Sequence, residues 1–70
     1  MGSELLMGFM LYVDDKLTAV GKSLEEAKRL AEPYLTDTRQ LRIESAVAPA
    51  PTQIWNYHYD IRMWVERNRR

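Results

Sequence analysis

The side chains best suited to catalysis are few in this sequence. It contains one histidine, His58, and no cysteine, so a cysteine–histidine nucleophilic pair cannot form. A serine triad would need Ser3, Ser23 or Ser45 beside this histidine, but Ser23 has the pattern of a helix cap and Ser3 lies in an expected tail. His58 and Asp60 stand two residues apart on an expected strand, an arrangement that is common without function. We therefore predict that the protein is not an enzyme and has no catalytic residues.

Metal and phosphate sites are not indicated either. Zinc sites usually combine several histidine or cysteine ligands, whereas here a single histidine accompanies scattered carboxylates. Gly2, Gly8 and Gly21 are isolated from one another, so the sequence has no glycine-rich phosphate loop. The expectation is a protein with no metal and no cofactor.

Aromatic and arginine side chains form the one unusual pattern. The segment from Trp55 to Trp64 contains two tryptophans and two tyrosines, and Trp, Tyr and Arg dominate the residues that carry binding energy at protein interfaces. The same side chains could stack on the bases of single-stranded nucleic acid, with arginines near its backbone. The candidate binding residues from the sequence are Tyr12, Arg42, His58, Arg62 and Trp64.

Length and composition predict one small domain. The 70 residues include 46% apolar and 10% aromatic residues, enough for a core, but domains of this size often rely on self-association. The net charge is zero, which argues against bulk attraction to a polyanion. The apolar run from Leu5 to Val13 is about half a membrane span. We expect a single cytoplasmic domain over residues 1–70, not in a membrane, with tails at 1–7 and 68–70.

Residues 9–21 are predicted to form a β-hairpin. Phe9 to Val13 and Leu17 to Gly21 are short apolar segments separated by a polar break. A three-residue loop pairs Val13 with Leu17 and gathers the apolar residues on one face, whereas a two-residue loop would scatter them over both faces. Because strand register follows the buried face, the sequence favours the three-residue loop.

The segment that begins at Ser23 carries a helix signal. Ser23 followed by Glu26 is the pattern of a capping box, in which the hydroxyl and the carboxylate each satisfy a free backbone N–H. Apolar residues then recur at three- and four-residue spacing and predict one buried stripe. The stripe consists of Leu24, Ala27, Leu30, Ala31, Tyr34 and Leu35. Pro33 lacks a backbone N–H and disfavours helix at Glu32, which predicts a kink or an early end there.

The second half of the chain predicts a strand, a loop and a second hairpin. Gln40 to Ser45 alternates like a strand, and residues 46–51 are expected to be a loop because two prolines cannot sit in a central ladder. Thr52 to Tyr59 and Met63 to Glu66 form the last two strands, joined by a three-residue loop at 60–62. This loop length places Trp55, Tyr57, Tyr59, Met63 and Val65 on one face.

These elements predict an α+β fold, in which one helix packs on one face of a four- to five-stranded antiparallel sheet in the order β-β-α-β-β(-β). A single helix covers only one face of such a sheet. The uncovered face is expected to carry Met10, Tyr12, Thr18, Arg42, Glu44, Asn56, His58, Arg62, Trp64 and Glu66.

Two resemblances accompany this pattern. Residues 13–17, 21–27, 54–57 and 63–67 resemble segments of short uncharacterised bacterial proteins, and the resemblance, over residues 9–67, implies no function. The run Gly21-Lys22-Ser23-Leu24-Glu25-Glu26-Ala27 is also similar to the start of the helix in antitoxins of the HicB type. That similarity would imply an antitoxin-like regulatory role, but the third strand that precedes the helix in that family has no counterpart here.

The sequence favours a non-enzymatic interaction domain that uses the uncovered face, most simply as a homo-oligomer or for a protein partner. Single-stranded nucleic-acid binding and an antitoxin-like role are the alternatives. In a dimer, Trp64 and Tyr12 would form the apolar centre of the interface, flanked by Met10 and Val20. The polar rim would consist of Arg42, Glu44, Arg62 and Glu66.

Overall fold

The computed structural model describes residues 8–46 and 52–67. The elements in chain order are β1 (Gly8–Val13), β2 (Lys16–Gly21), α1 (Leu24–Ala31), a 3-10 helix (Glu32–Tyr34), β3 (Leu41–Ala46), β4 (Ile54–His58) and β5 (Met63–Arg67). The predicted loop at 46–51 starts one residue later than expected, because Ala46 is the last residue of β3. The rest of that loop and the two predicted tails lie outside the described residues.

The five strands form one sheet in the order β2-β1-β3-β4-β5. Each neighbouring pair is antiparallel, and the sheet carries one α-helix, so the predicted α+β class is confirmed. The chain leaves β2, passes through α1 and returns as β3 on the other side of β1. Because α1 contacts β1, β2 and β3, it lies on one face of the sheet, and no helix of the described residues lies on the other.

The core lies between α1 and the face that it covers. Two small helix residues, Ala27 and Ala31, are fully buried, and they let the helix approach the strands closely. Gly21 marks this close approach, because a Cβ atom there would lie 2.8 Å from the backbone nitrogen of Ala27. The buried aliphatic side chains beneath the helix are Leu11, Val13, Leu41 and Ile43.

Both ends of α1 agree with the sequence prediction. The Ser23 hydroxyl accepts a hydrogen bond from the Glu26 N–H at 3.1 Å, and Glu26 Oε1 accepts one from the Lys22 N–H at 2.7 Å. The carboxylate thus binds the N–H that precedes the cap residue. At the other end the α-helix stops at Ala31, and Pro33 lies in the 3-10 helix that follows.

The predicted burial of Leu30 is wrong, because its side chain is exposed. Ala27 and Ala31 define the centre of the buried helix face. At about 100° of rotation per residue, Leu30 lies roughly 80° from that centre. Leu24 lies closer to it and packs against the core. The buried apolar stripe of α1 is therefore narrower than the spacing of its apolar residues predicted.

Replacing Ser23 with alanine is expected to lower the free energy of unfolding by about 0.5–2 kcal/mol, because the Glu26 N–H loses its acceptor. Chemical denaturation monitored by circular dichroism measures the change. Ser23→Asp is the matched control, since aspartate also caps well and should retain most of the stability. Equal losses in the two variants would contradict a capping role for this side chain.

The first hairpin has a shorter loop than predicted. Val13 pairs with Lys16, so the loop consists of Asp14 and Asp15 alone. Both aspartates have positive φ, 54° and 68°. A two-residue hairpin loop needs this backbone conformation if its twist is to match the twist of the two strands. Aspartate tolerates this region better than most residues. The prediction of a three-residue loop is therefore wrong.

A bulge at Thr18 resolves the conflict that had favoured the longer loop. Leu11 pairs with Ala19, whereas Tyr12 pairs with Leu17, so one residue of β2 is left over between the two pairs. The bulge returns Ala19 to the helix side of the sheet while Leu17 stays on the open side. The predicted burial of Leu17 is wrong, and Thr18 is the bulged residue rather than a regular member of the open face.

The second hairpin has a longer loop than predicted. His58 pairs with Met63, so residues 59–62 form a four-residue loop. Tyr59 has left the strand, because its hydroxyl donates a hydrogen bond to the backbone carbonyl of Arg39 at 2.6 Å. The prediction of a three-residue loop at 60–62, with Tyr59 as the last residue of the preceding strand, is therefore wrong. This one-residue difference reverses the faces of every β5 side chain.

Candidate interaction surface on the open sheet face

The open face, defined as the sheet face opposite α1, carries two rows of side chains that cross the strands. The Glu44 row, read from β2 to β5, consists of Val20, Met10, Glu44, Ile54 and Arg67. The Arg42 row, read in the same direction, consists of Leu17, Tyr12, Arg42, Asn56 and Val65. The pair His58 and Met63 extends the face beyond the Arg42 row. Neighbouring rows lie about 7 Å apart along the strands, because they are two residues apart.

The centre of the open face is charged, since both rows are centred on β3. Arg42 Nη1 donates a hydrogen bond to Asp15 Oδ1 at 2.6 Å, and Arg42 Nε lies 2.8 Å from Glu44 Oε2. Among the described residues the Nε–H has no acceptor in hydrogen-bond geometry, so the contact with Glu44 is an ion pair. The Arg42 and Glu44 side chains are each only 24% exposed.

The guanidinium of Arg42 is held in place on its other side by an aromatic ring. Its carbon lies 4.4 Å from the centroid of the Tyr12 ring, which is a cation–π arrangement. Burial lowers the pKa of Arg42, but its bond to Asp15 and the charge of Glu44 outweigh that effect and raise the pKa above its ordinary value. The guanidinium is therefore a fixed, fully charged group at the centre of the face.

Apolar side chains flank the charged centre on both sides. On β2, Leu17 is 56% exposed and Val20 is 58% exposed, and on β5 Met63 is 56% exposed. Val65 is exposed as well. A single exposed apolar residue is ordinary, but apolar strips along both edges of one face are typical of an interaction surface.

The structure places most of the predicted binding residues on this face, in three different settings. Tyr12 and Arg42 meet at its centre. His58 lies on the same face at the end of β4 and is exposed. Arg62 lies in the β4–β5 loop, where it was predicted, with a φ of 56°, and it belongs to neither row of the open face.

Trp64 is on the opposite face from the one predicted. It pairs with Tyr57, and the two rings meet edge to face with centroids 5.3 Å apart and planes at 71°. Both side chains pack against the core on the helix side of the sheet. Glu66, which pairs with Trp55, lies on that side too. The four-residue loop causes both corrections, because it shifts β5 by one residue.

The open face is thus the reverse of the predicted interface. An apolar centre with a polar rim was expected, and a charged centre with apolar edges is found. The residues of this face that the prediction missed are Leu17, Ile54, Met63, Val65 and Arg67. One signal in the sequence could have indicated the correct face of β5. Placing Trp64 on the helix side buries far more apolar area than placing Met63 or Val65 there.

A second polar cluster joins the first hairpin loop to the segment before β3. Arg39 Nε donates to Asp14 Oδ2 at 2.6 Å, and the Gln40 N–H donates to Asp14 Oδ1 at 3.1 Å. The hydrogen bond from Arg39 is the main cause that holds the pKa of the Asp14 carboxyl below its ordinary value. Burial raises the pKa of Tyr59, whose hydroxyl binds the Arg39 carbonyl. These bonds fix the two hairpin loops to the sheet.

Three further observations concern metal binding, membrane insertion and similarity to known proteins. Within residues 8–46 and 52–67, no group of three or more His, Cys, Asp or Glu side chains is arranged to hold a metal ion. In that same part of the chain, no helix has the length and apolar character needed to cross a membrane. Comparison of the chain with protein-family models, with curated proteins and with solved structures finds no match.

Proposed function

We propose that this chain is a non-enzymatic interaction domain that self-associates through the open face of its sheet. The observation that supports the proposal is the pair of exposed apolar strips, on β2 and β5, that flank one charged centre. A second copy of the chain offers the same apolar strips and both signs of charge. Since burial of apolar area stabilises association, pairing two such faces protects surface that one helix cannot cover.

The size of the face indicates a dissociable dimer. Five strands about 4.8 Å apart, each contributing about five residues, give a flat footprint of roughly 400 Å². Stable interfaces typically bury about 800 Å² of accessible surface on each partner. The accessible area of this face exceeds its flat footprint because side chains project from it, but it still lies at the lower end of the range of interface areas. We expect a dissociation constant in the micromolar range or weaker, because interfaces of modest area leave little surplus over the cost of association.

Nucleic-acid binding by the same face is less well supported. Trp64 and Tyr12 lie on opposite faces, so they cannot form one stacking platform. Arg42 is paired with two carboxylates, Asp15 and Glu44, which leaves the centre with a net negative charge. A phosphate backbone would be repelled there rather than attracted.

The test is sedimentation of the whole chain from about 10 μM to about 1 mM, a range that brackets a weak dimer. The wild-type mass should rise from 8.2 kDa towards twice that value. Val20→Asp should shift the transition to higher concentration, because it places a charge in the apolar strip on β2. Ile61→Asp is the matched control: Ile61 is 52% exposed, similar to Val20, but lies in the β4–β5 loop. A wild-type protein that stays monomeric throughout contradicts the proposal.

A further inference from the structure

We infer that the dimer axis crosses the strands between the Glu44 row and the Arg42 row, so that Arg42 of each copy faces Glu44 of the other. The inference rests on the proposed self-association and adds its geometry. It follows from the order of side chains on the open face and from the charges at its centre. The consequence is a specific contact map between the two copies.

Two arrangements of facing sheets need to be compared. Sheets that pack face to face in the aligned class keep their strand directions within about 30° of each other. A twofold axis lying between two identical sheets must then run either nearly along the strands or nearly across them. Both arrangements place β3 over β3, because β3 is the middle strand of the five. They differ in which residues of β3 meet.

An axis along the strands puts like charges together. Rotation about that axis keeps each row in place and reverses the strand order. Arg42 would face Arg42 of the other copy, and Glu44 would face Glu44. Close juxtaposition of like charges opposes association, and both side chains lie at the centre of the face, where water is most fully displaced. This arrangement is therefore disfavoured.

An axis across the strands pairs opposite charges. Rotation about it keeps the strand order and exchanges the two rows, so the Arg42 row of one copy lies over the Glu44 row of the other. Arg42 then faces Glu44 twice, once on each side of the axis. In an isologous interface each complementary contact occurs in duplicate. The single alternation of charge along β3 is thus self-complementary in this arrangement alone.

The apolar strip on β2 agrees with this axis. Val20 is in the Glu44 row and Leu17 is in the Arg42 row, so each covers the other across the interface. The same exchange brings Met10 over Tyr12. On β5 it places Val65 over Arg67, so the apolar contact of this arrangement comes from β2. These contacts bury the two most exposed aliphatic side chains of β2 against each other, which is the packing that favours association.

Arg42 is already prepared for such a contact within one copy. Its position is fixed by Asp15 and by the Tyr12 ring, so little side-chain freedom is lost when it pairs. A guanidinium carries five N–H donors, and the hydrogen bond to Asp15 uses one of them. A carboxylate of a second copy can therefore be bound without breaking the bonds in the first.

Charge reversal with mixing tests the axis. Arg42→Glu makes both central residues acidic, and Glu44→Arg makes both basic, so each variant alone should dissociate roughly tenfold or more readily than wild type. An equimolar mixture of the two should associate again, because every central contact then joins opposite charges. The double variant Arg42→Glu/Glu44→Arg should also dimerise. Sedimentation measures all four samples, and circular dichroism at low concentration checks that each variant is folded.

The outcomes separate the axis from the self-association itself. If the wild type dimerises and the two single variants dimerise equally well, the axis is wrong while the proposed function stands. Folded single variants that stay apart on mixing also overturn the axis, since the charges would then act within each copy. A wild type that never dimerises removes the proposed function and the axis together.

Cross-linking provides a second measurement that does not alter the charges. The chain has no cysteine, so one cysteine can be introduced into each partner, with a mass tag on one to identify mixed products. A short bismaleimide that bridges facing sheets, about 10 Å apart, should join Leu17→Cys to Val20→Cys efficiently. Preferential joining of Leu17→Cys to Val65→Cys would instead indicate the axis along the strands and overturn the inference.

Discussion

Replacing Ile43 with alanine is expected to lower the free energy of unfolding by about 2–5 kcal/mol. Ile43 is fully buried on the middle strand of the sheet, where it pairs with Leu11 on one side and Trp55 on the other. Truncation leaves a cavity that three strands and the helix cannot fill by a local shift. Because small domains are stable by only about 5–15 kcal/mol in total, this variant should lose much of its resistance to denaturant.

The matched control for this prediction is Leu17→Ala. Leu17 is an aliphatic residue of the same sheet, but it lies on the open face and is exposed. At concentrations where the chain is monomeric, its truncation should change the free energy of unfolding by no more than about 0.5 kcal/mol. Urea denaturation of both variants measures the difference. A larger loss for Leu17→Ala than for Ile43→Ala would show that the two faces have been assigned the wrong way round.

Replacing Trp64 with alanine should lower the stability of the monomer by about 3 kcal/mol, the lower end of the range for tryptophan truncation in a core, because this side chain is only partly buried. Part of the loss comes from the edge-to-face contact with Tyr57, which contributes about 0.5–1.5 kcal/mol beyond burial. Trp64→Phe should retain some of that contact. Thermal and urea denaturation at low concentration measure these losses.

The same variant should leave self-association unchanged, since Trp64 lies on the helix side of the sheet. Val65→Arg supplies the opposite case, because the inferred axis places this position over Arg67 of the other copy, where a second positive charge opposes association. Val65 is the next residue along β5, it is exposed on the open face, and its substitution should weaken dimerisation while changing monomer stability little. Sedimentation of both variants compares the two effects. If the Trp64→Ala protein is folded but no longer dimerises, the interface lies on the helix side of the sheet and the proposed open-face interface is wrong.

The local signals in the sequence were sufficient for the helix and for the class of fold. Ser23 and Glu26 determine where α1 begins, and Pro33 determines where it gives way to 3-10 helix. These effects act between neighbours along the chain, so the local sequence reports them. The existence of the strands also follows from local composition. The binding candidates Tyr12 and Arg42 were placed correctly because alternation within β1 and β3 is uninterrupted.

The faces of β2 and β5 were decided by tertiary contacts. Two features set the register of β2. One is the Asp14–Asp15 turn, whose Asp14 carboxylate accepts a hydrogen bond from Arg39, and the other is the bulge at Thr18. The bond from Tyr59 to the Arg39 carbonyl draws one more residue into the last loop and sets the register of β5. Both partners of these bonds are about 20 residues or more apart in the chain, so no local pattern reports them. Since strand side chains alternate with a period of two, one residue of register was enough to exchange Trp64 for Met63 and Val65 on the open face.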